Sequence, residues 1–536
     1  MNDIPRGRRL LAWLALLAMV GAGVIWWWWQ GRPVTLPDAP AQRIACVSYA
    51  PFHKPGETPL DPAASVSPTR IDADLAQLSR HFGCVRTYSQ GQGLSAVPAI
   101  AARHHMQVLM GIWLGADVKA NARQIALGIA TARVHPDVLR GVIVGNEVLL
   151  RGDLTEAQLA ADIAKVRAAL PASIPVSYAD VWAFWFRHPA LAKSVDFVTI
   201  HILPYWEDLP LPVNQAIAHV RDIYAQAQHL FPGKSILIGE TGWPSEGRPR
   251  RGAVPSRVNE ARYLRGFLRY ADMAHIPYNV IEAYDQPWKR ALEGTVGGYW
   301  GIYNAAGKPK FSWQGPVVEI PCWWLGWLAG VLGAVVFVLA GWRRLTRRQW
   351  RGVAVMALSG AASGMALAWQ GRQMLHACRD AWDWSVSVVV CLAALASALW
   401  LAHWLAGRLD GTTHRAAPAG RWRFAWLFAL ALYGLLLIFD GRYRDFPLGV
   451  FALPCLGFAL TAWLDTRRAR PTAEALFLAA WLPILGGIVV AMELGEDFST
   501  WLWLGENLAI ALPVLIAWWQ HRHAPRALTD LPGTQR

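Results

Sequence analysis

Charge is scarce in this sequence. Only 16% of the 536 residues are Asp, Glu, Lys or Arg, while 54% are hydrophobic, a balance that points to a membrane component rather than a wholly soluble protein. No glycine-rich phosphate loop occurs, and no loop between the C-terminal apolar runs is long enough for a nucleotide-sugar transferase domain. Polymerisation from an activated sugar by this chain alone is thereby excluded. A metal site is not expected either. The adjacent His104 and His105 do not share one helix face and have no acidic partners nearby. No cofactor is implied. The six cysteines say little. Cys46 and Cys84 fall in neighbouring strands where a disulfide is sterically conceivable, with a pair of buried thiols the preferred reading. Cys322, Cys378, Cys391 and Cys455 sit in or beside apolar segments as small hydrophobes.

What charge there is lies unevenly. Residues 34–320 hold 28 Lys and Arg against 24 Asp and Glu, whereas the remainder holds 23 basic residues, all Arg, against 13 acidic ones. A pI near 9.8 suggests a nucleic-acid partner at first sight. That partner is rejected, because the arginines of the remainder occupy short loops between apolar segments, where charge sets membrane orientation.

Two stretches carry chemistry. Ile236-Leu-Ile-Gly-Glu240 is a short apolar strand that ends in a glycine and a carboxylate, followed by the turn-formers Gly242 and Pro244. Val142-Ile-Val-Gly-Asn-Glu147 repeats the design. An unpaired carboxylate is costly to bury, and two of them at strand ends supply the acid/base and nucleophile of glycoside hydrolysis. Glu240 is assigned as nucleophile and Glu147 as acid/base, the latter with a pKa expected to be raised by the neighbouring charge. Asn146 is placed to bond the sugar 2-hydroxyl.

Around these stretches the chain alternates strands and amphipathic helices. Strands are expected at Ile44–Ser48, Cys84–Ser89, Gln107–Trp113, Val142–Asn146, Pro175–Tyr178, Phe197–Ile202, Ile236–Gly239 and Tyr278–Ala283, and helices at Arg70–Phe82, Ala120–Val134, Glu156–Leu170, Asn214–Leu230 and Asn259–His275. Strict alternation predicts an α/β fold, a (β/α)8 TIM barrel over residues 43–316 whose active site lies at the C-terminal strand ends. Tyr88, Tyr178, Tyr205, Trp206, Trp243, Tyr284 and Trp288 lie near those ends, where flat amphipathic rings suit stacking on sugar. Glu282, Asp285 and Lys289 are candidates for bonding sugar hydroxyls, with Arg86 and His201 supporting the catalytic pair from below.

These residues resemble a known family. Gly145-Asn-Glu147, Gly239-Glu-Thr-Gly-Trp-Pro-Ser245, Arg86-Thr-Tyr-Ser89, and Trp300-Gly-Ile-Tyr-Asn304 followed by Lys308-Pro309 are similar to signatures of glycoside hydrolase family 17, over about half the chain. The resemblance implies a retaining enzyme that hydrolyses or transfers β-1,3-glucan. It is best to the bacterial, membrane-tethered branch of β-glucan synthases and endo-β-1,3-glucanases.

The rest reads as membrane. Arg6, Arg8 and Arg9 precede an apolar run, Leu10 to Trp29, long enough to cross a bilayer core of ~30 Å. Trp26 to Trp29 suggest an interfacial belt, hence an uncleaved anchor (1–30) followed by a linker (31–42). Past Pro321, spans are expected at 322–342, 352–370, 385–406, 424–440, 447–464, 475–492 and 500–519, an all-α domain over 321–520 with a cytoplasmic tail at 521–536. Segments assigned to the cytoplasm carry 18 Arg and the opposite loops four, Arg372, Arg379, Arg442 and Arg444. That asymmetry puts the catalytic domain on the periplasmic side of the inner membrane. Glu506, in the last span, is the one ionisable group there whose burial is expensive enough to suggest a role. The expected partners are a β-glucan, the lipid bilayer and a glucan synthase. The alternative reading is a glucan exporter whose barrel is a binding accessory.

Overall fold

The computed structural model describes residues 5–40, 43–413, 415–417, 420–465 and 470–523. It forms two compact units, Pro33–Glu319 and a second one made of Met1–Arg32 with Ile320–Arg536. Most of the expected tail, from residue 524, lies outside the described residues.

In the first unit seven parallel strands pair in sequence order: β1 (Val47–Ser48), β2 (Cys84–Arg86), β3 (Gln107–Ile112), β4 (Leu139–Asn146), β5 (Val176–Val181), β6 (Phe197–His201) and β7 (Ser235–Glu240). The predicted eighth strand is not a regular one. Residues 278–283 instead bond in both directions, Val280 N–H to Cys46 O at 3.0 Å and Asn279 N–H to Ile238 O at 2.8 Å. Parallel bridges Val47–Val280 and Ile238–Tyr278 carry the sheet round onto itself. The result is a curled parallel sheet of the (β/α)8 kind. Its two ends are joined by side-chain bonds as well, since Asn279 Nδ2 donates to Ser48 Oγ and to Gly239 O, each at 2.8 Å.

The connecting helices start where the sequence supplies caps. Ser67 accepts from Arg70 N–H before Pro68–Leu78, Asp117 caps Val118–Val134, and Thr155 with Gln158 forms a capping box on Glu156–Ala169. Helices Val213–Leu230 and Arg257–Met273 complete the alternation on either side of β7. The barrel interior holds Cys46, Cys84, Leu109, Ile143, Ala179 and Leu237 as one apolar layer. Cys46 and Cys84 are a disulfide with Cα atoms 4.3 Å apart, which corrects the thiol reading; β1 and β2 pair in register and bring the two residues face to face. Where a linker is expected, Pro33–Val34 pairs antiparallel with Val317–Val318, so the chain enters and leaves this unit as a two-stranded ribbon.

The second unit is helical. Arg6–Gln30, Trp350–Ala377, Ala381–Leu409, Arg421–Phe439, Ala473–Met492 and Phe498–His523 are six helices long and apolar enough to cross a membrane. Eight spans are expected from the sequence. The other two, Trp324–Ala340 and Leu448–Leu464, have 17 residues each and are shorter than the 20 or so a bilayer core asks for. Small residues set the packing of Trp324–Ala340 on Trp350–Ala377: a Cβ on Gly333 would meet Gly360 O at 2.2 Å, a backbone-to-backbone approach typical of helices in lipid. Glu506 is 8% exposed, and its Oε2 has no hydrogen-bond partner among the described residues.

Candidate active site

The inward-facing positions one step above the apolar layer belong to the site. Ser48 and Arg86 stand two residues beyond the disulfide cysteines, and alternation points them the same way. Arg86 is 1% exposed and spends its guanidinium on the ends of β7 and β4. Nη1 donates to Gly239 O at 2.7 Å and to Glu240 Oε1 at 3.2 Å; Nη2 donates to Asn146 Oδ1 at 2.6 Å. Tyr88 donates its hydroxyl to Glu240 Oε1 at 2.7 Å and shares a 2.8 Å bond with Ser48 Oγ. Burial, then the Glu240 charge, pushes the Tyr88 phenol well up, so it stays a donor.

Each carboxylate is aimed by a local irregularity. At β7 the pairing with β6 slips between Ile200 and His201, setting Glu240 opposite His201, as a bulge re-aims a side chain beside a site. Gly239 makes this possible, because a Cβ there would lie 2.4 Å from Thr199 Cγ2 and 3.0 Å from the His201 ring. At β4 the irregularity follows Ile143, and Gly145 (φ +83°) and Glu147 (φ +53°) both adopt left-handed backbone. For a glutamate that conformation is strained, and strain of this kind gathers at functional sites.

Arg151 holds the turn. It donates through Nη1 to Asn146 O, through Nη2 to Leu114 O at 2.8 Å and through Nε to Asp153 at 2.7 Å.

His201 links the two carboxylates. Its Nδ1 lies 3.1 Å from Glu147 Oε1, and its Nε2 lies 3.3 Å from Arg86 Nη1 and 3.7 Å from Glu240 Oε1. A guanidinium only donates, so Nε2 accepts and the ring hydrogen sits on Nδ1, facing Glu147. Burial pushes the Glu147 carboxyl up, but the hydrogen bond from His201 and the positive charges of Arg151 and Arg86 outweigh it and hold the group below the usual carboxylate range. This corrects the expectation of a raised value. The cations and the imidazole surrounding Glu147 are contributed by β2, β6 and the loop after β4, which no local pattern reveals.

One oxygen each of Glu147 and Glu240 and one nitrogen of His201 lie within 4.8 Å of one another. This trio has the donor set to hold a cation. Arg86, however, already supplies positive charge to Glu240.

The other predicted residues divide. Asn146 is 8% exposed and gives its Oδ1 to Arg86, leaving its Nδ2 as the donor for a ligand. Glu282 is buried and takes both its oxygens to Lys289 Nζ at 2.9 Å; burial pushes the carboxyl up to about 7, with Lys289 opposing. Asp285 bonds Lys310 Nζ at 3.0 Å and the Gly301 N–H at 2.9 Å, a structural network.

Four of the expected sugar platforms are core instead: Tyr178, Tyr205, Trp243 and Tyr284 are each 0 or 1% exposed. Their polar atoms are occupied. Tyr205 donates to Arg248 O, Trp243 to Val254 O, and Tyr178 accepts from Leu149 N–H while donating to Asp180. Tyr284 stacks on His53 at 4.2 Å. Packing against the surrounding helices and loops, invisible locally, covers their faces. Trp206 stacks on Trp300 at 6.3 Å and is half-buried, and Trp288 donates to Gln286.

Paired carboxylates on two strand tips of a (β/α) barrel define a class of protein, the glycoside hydrolases. Residues 46–301 match the family model of the BtgE/BtgC glycoside hydrolase domain, in keeping with the family 17 resemblance of the motifs in that stretch. Among curated relatives, glucan 1,3-beta-glucosidase of Arthroderma benhamiae is 28% identical over 264 residues, covering 45% of this chain and 83% of that one. The glucan 1,3-beta-glucosidase of Saccharomyces cerevisiae is 24% identical over 267 residues, 46% of this chain and 85% of that one. A solved structure, the family 17 beta-1,3-glucanosyltransferase of Rhizomucor miehei, overlaps 50% of this chain and 97% of its own at 24% identity and a TM-score of 0.44.

Proposed function

We propose that the chain is a membrane-anchored retaining enzyme that cleaves β-1,3-glucan and passes the released segment to water or to a sugar hydroxyl. One observation carries the mechanism: a carboxylate oxygen of Glu147 and one of Glu240 lie within 4.8 Å. Retaining pairs stand ~5–5.5 Å apart, whereas inverting pairs need ~6.5–9.5 Å to admit a water between them. Glu240, fixed by Arg86 and Tyr88, attacks the anomeric carbon as Glu147 delivers its proton to the leaving oxygen. The bond to that oxygen breaks and a glucosyl ester forms on Glu240. Glu147, now a carboxylate, takes a proton from water or from the acceptor hydroxyl, which displaces Glu240. Loss of the Glu240 charge and its return change the proton affinity of Glu147 in the needed sense.

The substrate class rests on the names of the relatives, glucan 1,3-beta-glucosidases that align across most of their own length. Anchoring rests on the six long apolar helices and on lipid-type packing at Gly333 and Gly360. Large apolar side chains also face outward along them, Leu392, Phe428 and Phe477 among many. With arginines concentrated in the loops assigned to the cytoplasm, the catalytic unit lies in the periplasm, bound to the inner membrane. There it acts on glucan supplied by a separate polymerase.

Incubating the detergent-purified full chain with β-1,3-linked glucose oligomers and resolving products by mass and anomeric configuration tests the reading. Products with retained β-configuration, shorter for hydrolysis or longer for transfer, are expected. Inverted configuration or unaltered oligomers would overturn it.

A further inference from the structure

Tyr178, Tyr205, Trp243 and Tyr284 have no free face, so a cleft that accepts a glucan chain needs another apolar surface. Trp113 offers the most open ring. Trp113 directly follows β3 at the end of the barrel where Glu147 and Glu240 stand, and at 40% it is the most exposed aromatic side chain among the described residues of the barrel unit. Its indole nitrogen has no partner among the described residues, so nothing in the fold requires the ring where it is.

The ring is nonetheless held. The Arg151 guanidinium carbon lies 4.5 Å from its centre. That guanidinium is itself fixed by its bonds to Asn146 O, Leu114 O and Asp153. The arginine that staples the Glu147 turn therefore also backs one face of Trp113, while the residue as a whole stays 40% exposed. A cation against one face of an indole positions the ring at little cost. The opposite face matches the flat, C–H-lined side of a β-glucopyranosyl unit, whose hydroxyls are all equatorial.

We infer that Trp113 is a platform for one glucosyl ring of the substrate, in a subsite flanking the acid/base Glu147 and removed from the bond that is cut. The inference rests on the glucan reading above. It adds a residue that sets chain-length preference, since oligomers too short to reach the ring gain nothing from it.

Binding tests it apart from turnover. The full-length Glu240→Gln chain is titrated calorimetrically with β-1,3-linked glucose oligomers from the disaccharide upward, with and without Trp113→Ala. Long oligomers are expected to bind roughly 5- to 10-fold more weakly to the double variant, a factor in the range of one aromatic contact, with the shortest unchanged. In the otherwise native enzyme, Trp113→Ala raises KM for long oligomers by the same factor at constant kcat, and Trp113→Phe restores most of it. Equal affinities at every length overturn the platform. So does an equal loss at every length, which marks a disturbed Glu147 turn. Failure of the glucan reading itself looks different: the Glu240→Gln chain, folded and with Trp113 intact, binds no oligomer of any length.

Discussion

Glu147 and Glu240 end strands of the same barrel, each after an apolar run and a glycine, yet their surroundings differ. Glu240 is 5% exposed, with Tyr88 and Arg86 both bonded to one oxygen. Glu147 has a side chain 25% exposed, sits on left-handed backbone and bonds only His201 among these groups. A nucleophile has to be held still and charged; an acid/base has to exchange its proton with whatever enters the cleft. Similar sequence patterns thus yield one clamped and one accessible carboxylate, and the difference comes from what other strands bring to each.

Replacing the two in turn is the strongest way to break that comparison. Glu240→Gln is expected to lower kcat/KM on β-1,3-glucan on the order of 10⁴-fold or more, whatever the leaving group. Glu147→Gln should cost about 10²–10⁴-fold on glucan. On an aryl β-glucoside with an acidic phenol it should lose little in the first step, because that leaving group departs without a proton. Equal losses on the aryl substrate would show that the assigned roles are wrong. Arg86→Lys comes next. A lysine cannot span Gly239, Glu240 and Asn146 together, and loss of one charge-assisted bond predicts a fall in kcat of about 10- to 100-fold with KM little altered.

A pH profile sharpens the contrast. His201 favours the charged form of Glu147, so His201→Asn raises that carboxyl's pKa and keeps the acid protonated to higher pH. The alkaline limb of kcat/KM therefore moves upward, by up to about one pH unit for a loss of some 1.4 kcal/mol of interaction. An unmoved or lowered limb removes His201 from control of the acid. The smallest effect on activity belongs to the disulfide beneath Ser48 and Arg86. Replacing Cys46 and Cys84 by alanine opens a cross-link spanning 38 residues, which costs roughly 3–4 kcal/mol in a chain-entropy account. A lower unfolding midpoint with near-native turnover at 25 °C is expected, and an unchanged midpoint would assign the pair no stabilising role.

Much of the site was legible locally. Glu147 and Glu240 stood out because a carboxylate that ends a doubly buried strand has no packing reason to be there. Arg86 and His201 were readable as supports because they end strands of the same alternation. The aromatic residues misled: Tyr178 and Trp243 occupy strand-end positions suited to sugar, but helices and loops distant in sequence close over both faces. Arg151 and Trp113 gave no sign, since each matters only through the other and through the Glu147 turn. The eighth strand was expected regular, and tertiary closure made it a set of bridges.

Alone, the amino-acid order established the alternating barrel, the apolar helices that follow it, and the two carboxylates, because hydrophobic period and strand-end chemistry are short-range properties. Only the folded chain decided how far apart the carboxylates lie, which of them is clamped, which rings keep a free face, and that Cys46 meets Cys84. Those depend on distances between residues far apart in sequence, which barrel closure sets.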